Sequence, residues 1–453
     1  MRDFLVFAVV MLGLPYAYRR PFLGLLLFSW LAYMRPQDLC WGFARDMRFS
    51  FYVGFTMIFG WWVNEAGRRR FTRMDVRAWC MVLLLGLMTL SLLLAERQDA
   101  YVIQYYIEYV KIIFVALFTI GQVDSRQRLR WMLWTICLSL AFFGVKGGVF
   151  GVLTGGAPIL RGPGGMIEDN NDFALALVMN VPLLFYLARS EQRAWLRLAA
   201  DVGVVLTLVT VLLTHSRGGF LAAGCALVLM AWRAGRLLPA LGGLALLGAL
   251  FLAFAPASVK ERLGTITAGE QESSIAARFK SWSIAMHMIE DNPVLGVGLR
   301  NFQAHWPKYY PEVTGRPPGF AYVAHNSYLQ IWAEGGTIAF TVYLVLLGSV
   351  FAAAAWLRRY TRRRADLAWA FDYARLFETT TVGFMVGAVF LNRGHFDLLY
   401  HVMALVSATM FVVRGALARE PAPAGADVRP PLRLGRRPVV VTASRLPRWE
   451  RAR

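Results

Sequence analysis

Runs of roughly 20 apolar residues, the length that crosses a bilayer as a helix, can be laid down about a dozen times along this 453-residue chain. Together they take up more than half of it and leave one sizeable loop and a tail. Hydrophobic residues make up 57% of the chain and charged ones 17%, against about 45–50% and about 25% in ordinary soluble domains. That excludes a typical soluble enzyme. The predicted fold class is all-α, a polytopic membrane bundle with one long loop outside the membrane.

Apolar segments fall near residues 3–18, 22–34, 49–63, 76–95, 101–121, 128–153, 172–188, 194–214, 219–233, 237–256, 324–356, 377–392 and 398–416. The first two are short and either span separately or form one kinked hairpin, which gives about 12 to 13 spans. Residues 1–18 lack a small-residue cleavage pattern before Arg19 and Arg20 and read as a short first span, not a removed signal peptide. The expected organisation is N-terminal helices over 1–150, central helices over 151–256, a large loop over 257–323, C-terminal helices over 324–416 and a basic tail over 417–453.

The net charge of +20 would suggest a nucleic-acid partner if it formed one patch. It flanks the apolar spans instead, so no nucleic acid is expected. Simple alternation of the spans puts 31 of the 48 Lys and Arg residues on one side, which the positive-inside rule makes cytoplasmic. The 154–171 connection, the turn at 214–218, the 257–323 loop and the turn at 393–397 then face the periplasm of a bacterial inner membrane. His215, His287, His305, His325 and His395 lie in or beside those connections, and His401 sits near the outer end of the last span. Chemistry is therefore expected outside. The Pro- and Arg-rich tail from Glu420 reads as a disordered cytoplasmic segment held near anionic lipid.

Cys40, Cys80, Cys137 and Cys225 have no spacing for a disulfide framework or a zinc site. The run Glu168-Asp169-Asn170-Asn171-Asp172 either binds a divalent cation or is a solvated loop capping the next helix. Asn292 to Phe302 contains Gly296-Val297-Gly298 but lacks a third glycine and follows a helix, which rejects a dinucleotide fingerprint. No metal and no cofactor are expected. Glu108 and Lys111, one turn apart inside a span, read as an intramembrane pair, with Lys146 a further member if it reaches them.

His325, where the long loop enters a span, is a candidate general base; the alternative is a helix-terminal histidine bonded to backbone. Glu334 lies on the opposite side of the same helix, which argues against a dyad and for a packing role. Arg217, in the tight turn Thr214-His215-Ser216-Arg217-Gly218-Gly219, has a planar fork suited to phosphate or diphosphate, and the glycines would let a ligand approach the backbone. Within 274–290, Ile275, Phe279, Trp282, Met286 and Ile289 recur at helical spacing, with Ser274 as cap. This predicts an amphipathic helix on the membrane surface, with Arg278 at headgroup level. Arg161 is a second outer arginine, and Arg393, Gly394, His395 and Asp397 form a polar turn without an assigned role.

The Ser216-Arg217-Gly218-Gly219 turn, the Arg278 helix leading to Gly296-Val297-Gly298-Leu299-Arg300-Asn301-Phe302, and His325-Asn326 with Glu334-Gly335 resemble, in that order, the O-antigen ligase and polymerase superfamily. Tyr33-Met34-Arg35-Pro36-Gln37-Asp38, Trp41-Gly42-Phe43 and Glu168 to Asp172 more loosely resemble the O-glycosylation ligases associated with exosortase systems. The resemblance implies metal-independent, inverting transfer of a glycan from undecaprenyl diphosphate to a hydroxyl of lipid A core or protein at the periplasmic face. It maps His325 as base and Arg217 and Arg278 as diphosphate ligands, with Arg161 and Arg300 as further substrate-binding candidates. A polymerase with a second lipid-linked glycan as acceptor, or a flippase for the lipid-linked glycan, are the competing readings. No internal repeat favours a transporter.

Overall fold

The computed structural model describes residues 1–191, 193–235, 270–317 and 320–419, with the isolated positions 238 and 242. Among them are fourteen α-helices and no strand beyond one bridged pair, Arg161 with Asp169. In chain order they are α1 (Arg2–Arg19), α2 (Pro21–Tyr33), α3 (Phe49–Asn64), α4 (Val76–Leu93), α5 (Ala100–Gln122), α6 (Arg126–Leu153) and α7 (Asn170–Arg189). Then follow α8 (Ala194–Leu213), α9 (Arg217–Arg233), α10 (Glu270–Asp291), α11 (Phe302–Thr314), α12 (Ser327–Thr361), α13 (Ala368–Ala388) and α14 (Asp397–Leu417). Most long helices start where a short polar side chain accepts an otherwise orphan N–H: Asp75, Asp99, Ser125, Asp169, Ser216 and Asn326 cap α4, α5, α6, α7, α9 and α12.

Seven helices, α4 to α8, α12 and α14, are long and apolar enough to cross a membrane. The remaining expected spans fall short for visible reasons. α2, α3 and α9 have 13, 16 and 17 residues; α1 carries Arg2, Asp3 and Arg19, and α13 carries Asp372, Arg375 and Glu378. α1 and α2 are separate helices that meet at Arg20 and pack on each other and on α3. The expected span at 237–256, the first part of the long loop and the tail from Glu420 lie outside the described residues.

α7 stands at the centre, with 89% of its apolar window buried, between α6, α8, α9 and α13. α12 packs on α4 and α13, and α14 on α5. The basic connections meet at one end of the bundle through ion pairs: Arg69–Asp124 at 3.0 Å, Arg130–Glu191 at 2.6 Å, and Glu378 held between Arg233 (2.5 Å) and Arg358 (2.7 Å). Glu378, midway along α13, is thereby neutralised against α9 and α12, and α13 begins well before the apolar segment at 377. Glu108 and Lys111 pair at 2.8 Å on an exposed face of α5, and Lys146 does not join them.

Two features of the long loop differ from expectation. α10 begins at Glu270, so Ser274 lies inside it and is not its cap. Its buried residues are Ser281, Ile284, Ala285, Met288 and Ile289, packed against α11 and α12, while Phe279 and Met286 of the predicted stripe are exposed. The helix therefore has a protein-facing side in addition to the stripe available to lipid. α11 carries no helical signature in the sequence because Pro307 and Pro311 interrupt it; burial of Phe302, Trp306 and Tyr309 overrides the local cost.

The four cysteines are buried or half-buried, which allows exposed positions to report sidedness. With cysteine placed at exposed Arg316 and Arg363, a membrane-impermeant maleimide should label Arg316→Cys in intact spheroplasts and Arg363→Cys only after permeabilisation. The opposite pattern would invert the orientation taken from the charge distribution.

Candidate functional site

The end of the bundle opposite the basic connections brings together the turn before α9, the hairpin before α7, helix α10, the start of α12 and the α13–α14 turn. At the first of these, Gly219 donates to Ser216 Oγ at 3.1 Å, so α9 begins at Arg217. A Cβ on Gly218 would lie 2.9 Å from Phe390 Cβ, and one on Gly219 2.6 Å from Ala174 Cβ. The glycines thus let α9 start against its neighbours, where the sequence suggested room for a ligand. Asn170 Nδ2 donates to Thr214 O at 2.7 Å, which ties this turn to α7.

The hairpin closes through the Arg161–Asp169 bridge and the Gly162 N–H to Glu168 O bond of 2.7 Å. Asp169 caps α7, accepting from Asn171 N at 2.8 Å, and the Asp172 carboxylate pairs with Arg393. Both acidic side chains are thereby engaged by protein groups, and no group of three or more His, Cys, Asp or Glu among the described residues stands as a metal cage. Arg161 is exposed on the same hairpin. Arg35, a residue given no role by the sequence, pairs with Asp38 at 2.5 Å, and its guanidinium fills the space that a Cβ on Gly165 would need.

His325 precedes the cap of α12, where Asn326 Oδ1 accepts from Tyr328 N at 2.9 Å and Leu329 N at 3.2 Å. Ser327 Oγ donates to Leu391 O at 2.8 Å and accepts from Arg393 N at 2.9 Å, while Gly394 N donates to Gln330 Oε1 at 3.2 Å. The α13–α14 turn is therefore bonded to the first turn of α12. Half-buried Arg278 reaches this place from α10 and lies over the Phe390 ring at 5.9 Å.

Arg278 is close enough to feel the charge of Arg217, and His325 that of Arg278. Burial lowers the Arg278 pKa, and the positive charge of Arg217 lowers it further. Burial and then the Arg278 charge likewise hold the His325 pKa below its ordinary value, opposed by Asp169. Neither arginine has a carboxylate within ion-pair distance among the described residues. Two neighbouring guanidinium groups favour a multiply charged anion, and a lowered pKa favours the neutral imidazole, the form that accepts a proton.

Arg300 stands apart. α12 is broken at Gly336 (φ 76°, ψ 178°), and the 293–298 loop inserts there. Val297 N donates to Ala333 O at 2.8 Å, Gly298 N to Glu334 O at 3.2 Å, and Thr337 N to Pro293 O at 2.8 Å. A Cβ on Gly336 would sit 2.1 Å from Val294 O. The glycines that mimic a nucleotide motif thus dock a loop to a helix break. Arg300 follows in the left-handed region (φ 60°), with its guanidinium over Tyr105 at 4.8 Å and Tyr101 at 5.3 Å and Nε 3.2 Å from the Tyr101 hydroxyl. Glu334 is buried in the bundle and accepts from Gln330 Nε2 at 3.4 Å, in keeping with packing. The roles of Arg35, Arg393, Tyr101 and Tyr105 escaped the sequence, because their partners are distant in it.

Fold and site define a class: an all-α polytopic membrane protein in which two arginines and a histidine converge where the connections meet. Residues 202–344 match the family model of the O-antigen ligases. Residues 1–192 match a family of unknown function, DUF5935. No curated protein matches the chain. The association with exosortase systems has no support among these matches.

Histidine titration by NMR, assigned by difference with His325→Gln, should give His325 an apparent pKa below the ordinary histidine value of about 6.5. Arg278→Gln removes a positive neighbour and should raise it; Asp169→Asn removes a negative one and should lower it further. Gly336→Ala should lower stability by at least about 1–3 kcal/mol, because an L-residue is strained at that φ and meets the inserted loop; thermal unfolding in detergent would show it.

Proposed function

We propose that the protein is a membrane glycosyltransferase that moves a glycan from undecaprenyl diphosphate to a hydroxyl acceptor, on lipid A core or protein, at the periplasmic face of a bacterial inner membrane. The observation that carries this reading is the convergence of Arg217, Arg278 and His325, three residues from separate elements, with both guanidinium groups lacking a carboxylate partner among the described residues. The O-antigen ligase match supports it at the level of the family, whose members are glycosyltransferase-like membrane enzymes.

The chemistry follows from the charges. The acceptor oxygen attacks the anomeric carbon as a ring nitrogen of His325 takes its proton. The bond from that carbon to the diphosphate oxygen breaks, and the electron pair leaves on diphosphate. Arg217 and Arg278 stabilise the charge that develops there, a role that needs preorganised donors more than an acid. A single displacement inverts the anomeric centre. No carboxylate pair of the glycosidase kind is required, and Asp169 and Asp172 are engaged as cap and ion-pair partner, so the step is assigned without a metal.

Replacing Arg217 or Arg278 by Ala should weaken donor binding and slow transfer, each losing charge-assisted hydrogen bonds worth about 1.5–3 kcal/mol. Lys should restore only part, lacking the bidentate fork. His325→Ala should keep donor affinity and cut transfer on the order of 10²–10⁴-fold, as read by mass spectrometry of glycan product in reconstituted protein. A His325→Ala protein at wild-type rate removes the base assignment. Transfer should also survive EDTA; loss with recovery on adding a divalent ion would reassign Asp169 and Asp172 as ligands.

A further inference from the structure

We propose that Arg300, with Tyr101 and Tyr105, forms a second anion-binding subsite, separate from the Arg217–Arg278 pair, which takes an anionic group of the second substrate. This rests on the glycan-transfer reading above and divides its substrates between two places.

The separation is geometric. Arg217 and Arg278 neighbour each other, His325 and the Phe390 region. Arg300 instead lies on the two tyrosines of α5, beside His395 and Glu334. The α13–α14 turn joins the two places, since Arg393 pairs with Asp172 on one side and His395 bonds Tyr105 at 3.3 Å on the other. Two substrates bound there would be adjacent and distinct.

Arg300 is built to bind. It makes no ion pair within 4.0 Å among the described residues, and its backbone is in a region that L-residues avoid. Such strain persists only where surroundings impose it. Here they do: Asn301 Oδ1 accepts from Arg97 N at 2.9 Å, Asn301 Nδ2 donates to Arg97 O at 3.0 Å, and the Glu334 carboxylate accepts from the Arg300 and Phe302 N–H groups. Because Tyr101 accepts from Arg300, its own hydroxyl proton remains free to donate. Arg300 and Tyr101 thus offer convergent donors, one of them cationic, which suits a phosphate or carboxylate. Behind them His395 is buried at 2% exposure, and its Nε2 and the Nε of Arg393 find no hydrogen-bond partner among the described residues.

The test uses the full chain in phosphatidylcholine nanodiscs, with farnesyl diphosphate as donor probe and inorganic phosphate as probe of the second subsite, read by titration calorimetry. Wild type should retain phosphate binding under saturating farnesyl diphosphate. Arg300→Ala should weaken that binding roughly ten- to hundredfold, and Tyr101→Phe, which keeps the ring, should weaken it less. Both should leave farnesyl diphosphate affinity within about twofold. Absence of phosphate binding under saturating farnesyl diphosphate overturns the proposal, as does an Arg300→Ala loss of farnesyl diphosphate equal to that of Arg217→Ala. In equimolar phosphatidylglycerol and phosphatidylcholine, phosphate should still bind; if the anionic lipid displaces it through Arg300, the site is a headgroup anchor and the substrate role fails. If Arg217→Ala leaves farnesyl diphosphate untouched while the Arg300 results hold, the donor assignment fails and the second subsite stands.

Discussion

A chain inside a membrane cannot leave backbone donors and acceptors unmet, and this protein breaks its longest helix all the same. At Gly336 the carbonyls of Ala333 and Glu334 and the N–H of Thr337 lose their helical partners and are taken up by Val297, Gly298 and Pro293. Ser91 Oγ adds a further bond to Glu334 O at 2.6 Å. That recapture fixes the 293–298 loop to the bundle. Helix α10 ends just before the loop and Arg300 comes just after it, so the position of Arg278 on one side and of Arg300 on the other follows from one repaired break. His325 sits at the start of the same helix, one short segment away.

Much of this was legible from residue order. The apolar periodicity placed most long helices within a few residues, since burial in lipid or protein selects the same pattern. Ser216 and Asn326 cap α9 and α12 with the short polar side chains that helix starts favour, although in the sequence alone they read only as parts of a turn and a motif. Arg217 was visible because it sits in a short polar break between apolar runs, and His325 because it stands where the long loop enters one. Arg393 was noticed without a role, since its meaning lies in Asp172, 221 residues away. The packed face of α10 was hidden because Ser281 and Ala285 are small and weakly apolar, so the eye follows Phe279 and Trp282. Glycine was the most misleading signal: at Gly218, Gly219, Gly296 and Gly298 it marks close approach of protein to protein, which in sequence looks the same as approach of protein to ligand.

Among the described residues, four other than glycine adopt left-handed backbone: Arg35, His215, Arg300 and His325. All four are arginine or histidine. Asparagine, aspartate and histidine are the more frequent guests at such positions, so it is the two arginines, Arg35 and Arg300, that propensity does not select. The hydrogen-bonded surroundings of Arg300 and His325 show how the strain is held, through Asn301 clamped to Arg97 and Asn326 capping α12. A positively charged group on a sharply turned backbone is aimed by the fold and not by its own flexibility, which reduces the reorganisation a ligand must induce.

The two family matches meet within this arrangement in an instructive way. The first ends at residue 192 and the second begins at 202, yet the hairpin carrying Arg161, Asp169 and Asp172 belongs to the first, and Arg217, Arg278, Arg300 and His325 belong to the second. Arg393 lies beyond both and clasps Asp172. A recombinant that replaced residues 1–192 with a sequence lacking the Asp172 carboxylate would therefore leave Arg393 without its partner.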